Sequence, residues 1–449
     1  MLSDEILFLP ASELAKRIQS KALSPVDLTK AYLDRSEKLG SRLNAYARLT
    51  PESALAEADA AEKEIKRGHY RGPLHGIPYA AKDLLSVKGL PTTWGAKPYE
   101  NQVFDYDATV IEHLRRVGAI LIGKAAMIEL AGGMNYRFAS ASLEGPAKNP
   151  WNTKCWTCGS SSGSGAIVAA GLAGFAIGTE TWGSIVCPAA FCGVSGLRPT
   201  YGRVSRYGAM ALSYSMDKIG PLARSAEDCA HIFAAIAGHD FKDRGTLNID
   251  KAAFTYSPSM ELSAKPLRVG WLTNAWKKLD SHAEKPLQAA ERSVRKFFPG
   301  TRNAALPEGP FEDAGGLIIA VEGVAAFREL IRSGKIAQLA DPLGQINGYV
   351  SEQLSGADYV RALQVRDILQ QKMTDMFDTF DVLVAASQPI GATPLETNLE
   401  TDLTFPDPLG NLPVGLQFLA KAGNDAAVIR AARIFQQHTD WHRRHPKVS

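Results

Sequence analysis

The apolar and polar positions of the chain recur in two patterns, which predict helices alternating with short buried strands. Ser24-Pro25-Val26-Asp27 is typical of a helix start, with Ser24 as the N-cap, Pro25 in the first turn and Asp27 facing the helix dipole. Thr50-Pro51 predicts a second helix, which ends near Gly68. This second helix has apolar residues at helical spacing, namely Ala54, Leu55, Ala58 and Ile65.

Asp107 is predicted to cap a third helix, which leads into Ala119–Ile122, an apolar run that fits a buried strand. Further strands are predicted at Leu267–Leu272 and Asp381–Ala385. A C-terminal helix is predicted from Asp425, with four residues facing the core: Val428, Ile429, Ala432 and Phe435. The alternation predicts an α/β architecture with helices on both faces of a sheet, built as one large domain over residues 1–449. The polar region from about 240 to 265 is expected to be a surface excursion.

Composition and charge exclude several classes of protein. With 45% apolar and 22% charged residues, the chain is neither disordered nor collagen-like. A net charge of +3 over 449 residues does not indicate a nucleic-acid or membrane surface. The N-terminus lacks the pattern of a secretory signal, and five cysteines are sparse, which is typical of a reducing compartment. We therefore expect a cytoplasmic protein.

One stretch, Cys155–Thr179, contains no charged residue and is long enough to cross a bilayer. Its Gly/Ser-rich interior makes a poor spanning helix, so no membrane segment is predicted. Gly159-Ser-Ser-Ser-Gly163 also matches the G-x-S-x-G elbow of α/β-hydrolases, with Ser161 as the nucleophile. That match is weak, because the elbow should follow a strand and Pro150–Cys155 is predicted to be a loop. The histidines that such a mechanism needs have no telling context: His231, His239, His282 and His438.

An ordered series of motifs indicates a family. Gly76-x-Pro78 precedes Lys82-Asp83, and then follow Asn149-Pro-Trp151, Gly159-Ser-Ser161, Gly178-Thr179, Gly183-Ser-Ile185, Gly196-Leu-Arg-Pro-Thr-Tyr-Gly202 and Asp217 with Gly220-Pro221. In this series the chain resembles the amidase signature family of serine hydrolases. The match is specific over about residues 65–230. It implies a single large mixed β-sheet sandwiched between α-helices.

The resemblance implies a Ser-Ser-Lys triad. Ser184 is similar to the acylated nucleophile, Ser160 to the bridging serine held by a cis peptide bond, and Lys82 to the base. A serine hydroxyl is a weak nucleophile until a base accepts its proton, and a lysine can accept one only if burial lowers its pKa. In this scheme Ser160 relays the proton from Ser184 to Lys82 and then protonates the leaving amine.

The resemblance also implies an oxyanion hole made of backbone N–H groups from Thr181, Trp182, Gly183 and Ser184. Such donors contribute about 2.7 to 4 kcal/mol each to transition-state stabilisation. Three further residues are candidates for substrate contact, namely Gly133, Met134 and Ser161. No metal ion or organic cofactor is implied.

Several positions depart from the family pattern. Cys158 replaces a glycine, and Cys155-x-x-Cys158 permits a metal or redox site, although structural cysteines are favoured because no second pair exists. Trp182 replaces a glycine and Val186 replaces an arginine, which favours an apolar or aromatic substrate. The segment Thr404–Gly410, ahead of Leu412, is shorter than the strand region expected there.

These observations predict an amidase that hydrolyses a small-molecule carboxylic amide through an acyl-Ser184 intermediate, with side activity on esters or carbamates. The expected assembly is a monomer or homodimer without nucleic-acid or membrane partners. Two alternatives remain open, a glutaminase-type subunit of a tRNA-dependent amidotransferase and an aryl carbamate hydrolase. A non-catalytic binding protein is disfavoured, because Lys82, Ser160 and Ser184 are all present.

Overall fold

The computed structural model describes residues 2–248, 265–277, 279–401 and 412–448. These residues form an α/β fold in which helices pack against a mixed sheet, as predicted. The segment Thr404–Gly410 lies outside the described residues. So does most of the expected surface excursion between 240 and 265.

The bounds of the elements are as follows. The α-helices of the described residues are α1 (Asp4–Leu7), α2 (Ala11–Gln19), α3 (Pro25–Leu43), α4 (Pro51–Lys66), α5 (Thr109–Arg116), α6 (Ser162–Ala169), α7 (Val186–Cys192), α8 (Ala226–Ile236), α9 (Ser281–Phe297), α10 (Phe311–Ala326), α11 (Arg328–Arg332), α12 (Pro342–Ser351), α13 (Gly356–Thr379) and α14 (Asp425–Gln437). The strands are β1 (Tyr46–Leu49), β2 (Pro78–Lys82), β3 (Ile120–Ala125), β4 (Lys148–Asn149), β5 (Asn152–Trp156), β6 (Phe175–Glu180), β7 (Ser195–Gly196), β8 (Lys218–Ala223), β9 (Val269–Leu272), β10 (Arg302–Ala304), β11 (Val382–Ala386) and β12 (Leu416–Leu419).

Six strands form the larger sheet, in the order β1-β3-β2-β6-β8-β7. Strand β2 runs parallel to both β3 and β6, whereas β8 runs antiparallel to β6. The carboxyl ends of β2 and β6 therefore lie side by side, with Ala81 paired with Ile177. Ligands of open α/β sheets commonly bind outside the carboxyl ends of the strands, so a binding site is expected at this edge of the sheet.

A second sheet has four strands, in the order β10-β9-β11-β12, and β4 pairs with β5 as a short hairpin. The α/β fold class is thus confirmed. The described residues form more strands than the sequence predicts, and these strands belong to two larger sheets and one hairpin. The C-terminal helix begins at Asp425 as expected. Ile429 and Phe435 are buried as predicted, whereas Val428 and Ala432 are only half-buried.

The sequence predicts the N-cap residues of α3 and α5, and the structure confirms one of the two. Ser24 accepts hydrogen bonds from the N–H groups of Val26 and Asp27, so the predicted N-cap of α3 is confirmed. The predicted cap of α5 is wrong, because α5 begins after Ala108. The carboxylate of Asp107 instead accepts the N–H of Lys88 and pairs with Arg115. A charged partner on the helix itself draws this carboxylate away from the helix start.

The charge-free stretch folds into the end of β5, then α6, then β6, all of them buried. A Cβ at Gly163 would lie 2.3 Å from the carbonyl oxygen of Ala45 and 2.6 Å from the amide nitrogen of Ala126. Glycine is therefore required there for α6 to approach the neighbouring backbone. Within the described residues, no helix combines the length and apolar character needed to span a membrane.

Candidate active site

Lys82 is the last residue of β2, and its side chain is completely buried. Its Nζ lies 2.7 Å from Ser160 Oγ and 2.9 Å from Thr179 Oγ1. Thr179 belongs to the adjoining strand β6, so the parallel pairing of β2 and β6 brings the two side chains together. The structure thus places two members of the predicted triad in direct contact.

Burial disfavours the charged form of Lys82 and lowers its pKa to about 7, although the carboxylates of Asp217 and Glu180 oppose this shift. An ordinary lysine, with a pKa near about 10.4, is almost fully protonated at neutral pH and cannot accept a proton. With a pKa of about 7, a substantial fraction of Lys82 is neutral near pH 7. This lysine can therefore act as a general base.

A second buried lysine supports the end of β2. Lys124 of β3 lies 2.8 Å from the carboxylate of Asp83, and both side chains are buried. Asp83 also accepts hydrogen bonds from the N–H and the hydroxyl of Thr93. The charge of Asp83 is therefore neutralised within the protein, and these contacts hold the chain just after Lys82.

Ser160 is buried next to Lys82, and the Gly159–Ser160 peptide bond is cis, as the family resemblance implies. The Ser160 carbonyl accepts the N–H of Ile128 at 3.2 Å. The neighbouring Ser161 donates its N–H to the carbonyl of Ser184, also at 3.2 Å. One backbone hydrogen bond therefore ties the segment of the bridging serine to the segment of the predicted nucleophile.

Ser161, a candidate for substrate contact, is completely buried. Its hydroxyl donates to the Thr179 carbonyl at 3.1 Å and accepts the Thr179 N–H at 3.2 Å. These two bonds position Thr179, and hence the contact between Thr179 and Lys82. The same contacts disfavour Ser161 as the nucleophile of an α/β-hydrolase elbow, even though β5 at Asn152–Trp156 is a strand rather than the predicted loop.

The loop that carries Ser184 is suited to bind an oxyanion. Among the described residues, no acceptor is found for the backbone N–H groups of Trp182, Gly183 and Ser184. Trp182 does not take a positive φ, so the substitution of tryptophan for glycine leaves the backbone in an ordinary conformation. Consecutive free N–H groups beside a half-buried serine hydroxyl are what an acyl-transfer site requires.

Three charged side chains hold this loop in place. Glu180 accepts the N–H groups of Ile185 at 2.7 Å and Val186 at 2.9 Å, which fixes the chain on the far side of Ser184. Asp217 accepts the Thr181 hydroxyl at 2.6 Å. Lys218 donates to the Thr181 carbonyl at 3.1 Å. Because the loop is anchored at both ends, its N–H groups are held in position before substrate binds.

Gly133 and Met134, the other candidates for substrate contact, are buried under α10. A Cβ at Gly323 of that helix would lie 3.1 Å from the Gly133 carbonyl and 3.7 Å from the Met134 side chain. At its other end, α10 packs on Trp182 through Gly315. The helix therefore packs on both Trp182 and the turn at Gly133.

An open groove of about 1600 Å³ begins beside the loop that carries Ser184. Thr181, Trp182 and Val186 are part of its lining, and they flank Ser184 in the chain. Ser184 itself is not part of the lining, so the groove starts next to the predicted nucleophile rather than on it.

Cys158 and Cys187 form a disulfide, whereas Cys155, Cys192 and Cys229 are buried thiols. A structural role for Cys158 agrees with the favoured interpretation, and Cys155-x-x-Cys158 is not itself the bonded pair. Cys158 has a φ of 64°, a region that favours glycine, which is the usual family residue at this position. A disulfide is not expected from a cysteine content typical of a reducing compartment.

Reduction of this disulfide is expected to destabilise the protein. The bond joins residues 29 positions apart, and closing a loop of that size in the unfolded chain corresponds to about 3 to 4 kcal/mol. Urea unfolding with and without a dithiol reductant measures the difference. In the Cys158→Ala/Cys187→Ala variant the reductant should have no further effect, and a residual effect there would contradict the assignment.

Other candidates for catalysis are engaged elsewhere. His231 lies 3.8 Å from Glu227, His239 contacts Thr246, and the ring of His438 lies against the Ile434 carbonyl. The side chain of His282 lies outside the described residues. No group of three or more His, Cys, Asp or Glu side chains that could hold a metal ion is found in the part of the chain that the structure describes.

Four residues of the site have roles that the sequence alone does not assign, namely Thr179, Glu180, Lys124 and Lys218. The motif Gly178-Thr179-Glu180 carries a signal for the first two, because both residues end the strand that faces Lys82. Lys124 and Lys218 have no comparable signal. Their contacts with Asp83 and Thr181 depend on strand pairing, which residue types alone do not reveal.

The chain is similar to known proteins in both sequence and structure. A family model described as Amidase matches residues 27–407. A glutamyl-tRNA(Gln) amidotransferase subunit of Geobacter metallireducens is 34% identical to this chain, over 98% of this chain and 99% of the relative. The alignment spans nearly the whole length of both proteins, so the similarity is not confined to the motifs.

Solved structures agree with this relationship. Native peptide amidase from Stenotrophomonas maltophilia is 30% identical and superposes with a TM-score of 0.84, over 98% of each chain. A protein from a vestigial complex, described as revealing the origins of an s-triazine catabolic enzyme, is 29% identical with a TM-score of 0.85. That match covers 96% of this chain and 98% of the other.

Proposed function

This chain belongs to the amidase family of enzymes that act on carbon–nitrogen bonds, and we propose that it hydrolyses a carboxylic amide through an acyl-Ser184 intermediate. The observation that carries the proposal is the buried contact of 2.7 Å between Lys82 Nζ and Ser160 Oγ. A lysine held without a carboxylate partner, against a serine hydroxyl, has little structural value in a core. It is useful as a base.

The reaction begins when neutral Lys82 accepts the proton of Ser160, which in turn accepts that of Ser184. Ser184 Oγ attacks the amide carbonyl, and the backbone N–H groups of Thr181, Trp182, Gly183 and Ser184 bind the developing oxyanion. Ser160 then protonates the leaving nitrogen, and the C–N bond breaks to leave an ester on Ser184. Water, deprotonated through the same pair, attacks this ester and releases the acid.

A second candidate function is that of an ammonia-releasing component of a tRNA-dependent amidotransferase. The similarity to glutamyl-tRNA(Gln) amidotransferase subunits over almost the full length of the chain favours it, and the same acyl-enzyme chemistry applies with glutamine as the amide. The net charge of +3 gives no support to direct contact with tRNA. In this alternative a partner protein would therefore bind the nucleic acid.

Turnover by the purified chain distinguishes the two functions. We expect the protein alone to hydrolyse at least one member of a panel of primary amides, anilides, esters and aryl carbamates, because Lys82, Ser160 and Ser184 all belong to this chain. The measurement is product release, with Ser184→Ala as the blank. The amidotransferase function would be favoured if the protein hydrolysed glutamine and no other amide, and if this rate rose only when amidotransferase partner proteins were added. A preference for carbamates would favour the aryl carbamate hydrolase.

A further inference from the structure

Trp182 is the one large side chain of the oxyanion loop, and 45% of it is exposed. It stands two residues before Ser184 and is part of the lining of the groove that begins there. Exposure of an indole is unfavourable in water, and tryptophan is enriched where one face meets a ligand. Its backbone N–H serves the oxyanion hole, so its side chain is free to serve another purpose.

The indole is seated in a notch on α10. A Cβ added at Gly315 would lie 1.8 Å from Cζ3 and 2.4 Å from Cη2 of Trp182, so any side chain there would displace the ring. At Gly316, one position further along, a Cβ would meet nothing within 4 Å. Glycine destabilises a helix by about 1 kcal/mol relative to alanine. The contact with the indole explains why residue 315 is glycine. No such contact explains the glycine at position 316.

Apolar side chains of three helices line the same groove as the indole. Phe311 and Ala314 of α10, Val186 of α7, and Leu369 and Met373 of α13 line the same groove. An aromatic ring on such a surface can stack against a flat apolar group of a ligand.

Cationic side chains also line the groove, and Lys218 and Arg366 are two of them. Each already donates to the protein, Lys218 to the Thr181 carbonyl and Arg366 to the hydroxyl of Ser215 at 2.8 Å. The exposed indole lies two residues before Ser184 in the chain and lines the same groove.

We propose that Trp182, held in place by the notch at Gly315, is a specificity-determining residue that selects amides carrying a flat apolar group. The notch fixes the plane of the indole, and the indole forms the first wall that a substrate meets beyond Ser184. This inference rests on the proposed amide hydrolysis, whose substrate class it makes narrower.

The experiment compares benzamide with propionamide, two primary amides that differ in the group next to the carbonyl. The ratio of their kcat/KM values is measured for the wild type and for Gly315→Ala, Gly316→Ala, Trp182→Ala and the double variant Trp182→Ala/Gly315→Ala. Gly316→Ala is the matched control, because it makes the same change on the same helix without touching the indole. Thermal melts confirm that each variant is folded.

We expect the wild type to prefer benzamide and Gly315→Ala to lower this preference about five- to tenfold, the range of an aromatic stacking contact. Gly316→Ala should leave the ratio within about twofold of the wild type. Trp182→Ala should abolish the preference, and adding Gly315→Ala to it should change nothing further, because the clash needs the indole. Equal ratios for Gly315→Ala and Gly316→Ala, or a preference that survives Trp182→Ala, would overturn the proposal.

A binding arm separates this inference from the proposed function. Calorimetry measures benzamide and propionamide binding to Ser184→Ala, which cannot acylate, with and without Gly315→Ala. If no amide is turned over by the wild type, the proposed function fails, yet a benzamide affinity that falls with Gly315→Ala still supports the aromatic wall. If Ser184-dependent hydrolysis is observed but benzamide binding to Ser184→Ala is unchanged by Gly315→Ala, the proposed role of Trp182 is wrong and the proposed hydrolysis stands.

Discussion

Replacement of Ser184 by alanine is expected to lower kcat for amide hydrolysis by about 10⁴- to 10⁶-fold, the range seen when a serine hydrolase loses its nucleophile. The change removes only the hydroxyl that accepts the acyl group. The backbone N–H of residue 184 and those of Trp182 and Gly183 remain, so KM should change little. Steady-state rates on the best amide of the panel measure the loss, and intact-mass spectrometry shows whether an acyl adduct still forms.

Ser161→Ala is the informative comparison, because Ser161 is the nucleophile of the competing G-x-S-x-G interpretation. Its hydroxyl makes two hydrogen bonds with the Thr179 backbone, so its loss should disturb the contact between Thr179 and Lys82 and lower kcat about tenfold. The acyl adduct should still form in this variant. An adduct that disappears in Ser161→Ala and persists in Ser184→Ala would instead establish the α/β-hydrolase elbow.

The parts of the fold that could be predicted are those with local causes. The N-cap at Ser24 depends on residues within three positions of each other, and the prediction is confirmed. The strand at Ala119–Ile122 depends on a continuous apolar run, and β3 is found at Ile120–Ala125. The cap at Asp107 failed because Arg115, eight residues away, competes for the same carboxylate. A capping signal can thus fail where a charged group outside the pattern pairs with the capping side chain.

Contacts between distant segments were not predictable from the residues. Nothing in the sequence pairs Cys158 with Cys187 rather than with Cys155, and nothing places Gly315 against Trp182. Both contacts join segments whose approach is decided by packing of whole helices and strands. The same holds for Lys124 and Asp83, which meet because β2 and β3 are neighbours in the sheet.

The candidate site could be predicted in part. The family resemblance supplied Lys82, Ser160 and Ser184, but composition alone could not have selected one lysine among the many cationic residues of the chain. The structure adds the reason for its position, because β2 and β6 end together and bring Lys82 to Thr179. It also assigns Ser161 to a supporting contact, which the motif could not distinguish from a contact with substrate.

Lys82→Met is expected to lower kcat by about 10³- to 10⁴-fold and to abolish the acid limb of the pH profile, because general bases contribute on this scale. Lys82 accepts a proton only when neutral, and burial lowers its pKa to about 7. In the wild type, kcat/KM should therefore fall as the pH drops below about 7, where Lys82 becomes protonated, and reach a plateau above it. The residual rate of Lys82→Met should not depend on pH over this range.

Lys218→Met is the control that this profile requires, because burial together with the nearby Arg198 also lowers the pKa of Lys218 to about 7, against the opposing carboxylates of Glu180 and Asp217. Lys218 donates to the Thr181 carbonyl and has no contact with Ser160, so its loss should reduce kcat by loosening the oxyanion loop while the acid limb keeps its midpoint. If the fall of kcat/KM at low pH vanished in Lys218→Met and persisted in Lys82→Met, the titrating group would be Lys218. Lys82 would then be a buried structural lysine, and the proton of Ser184 would need another acceptor.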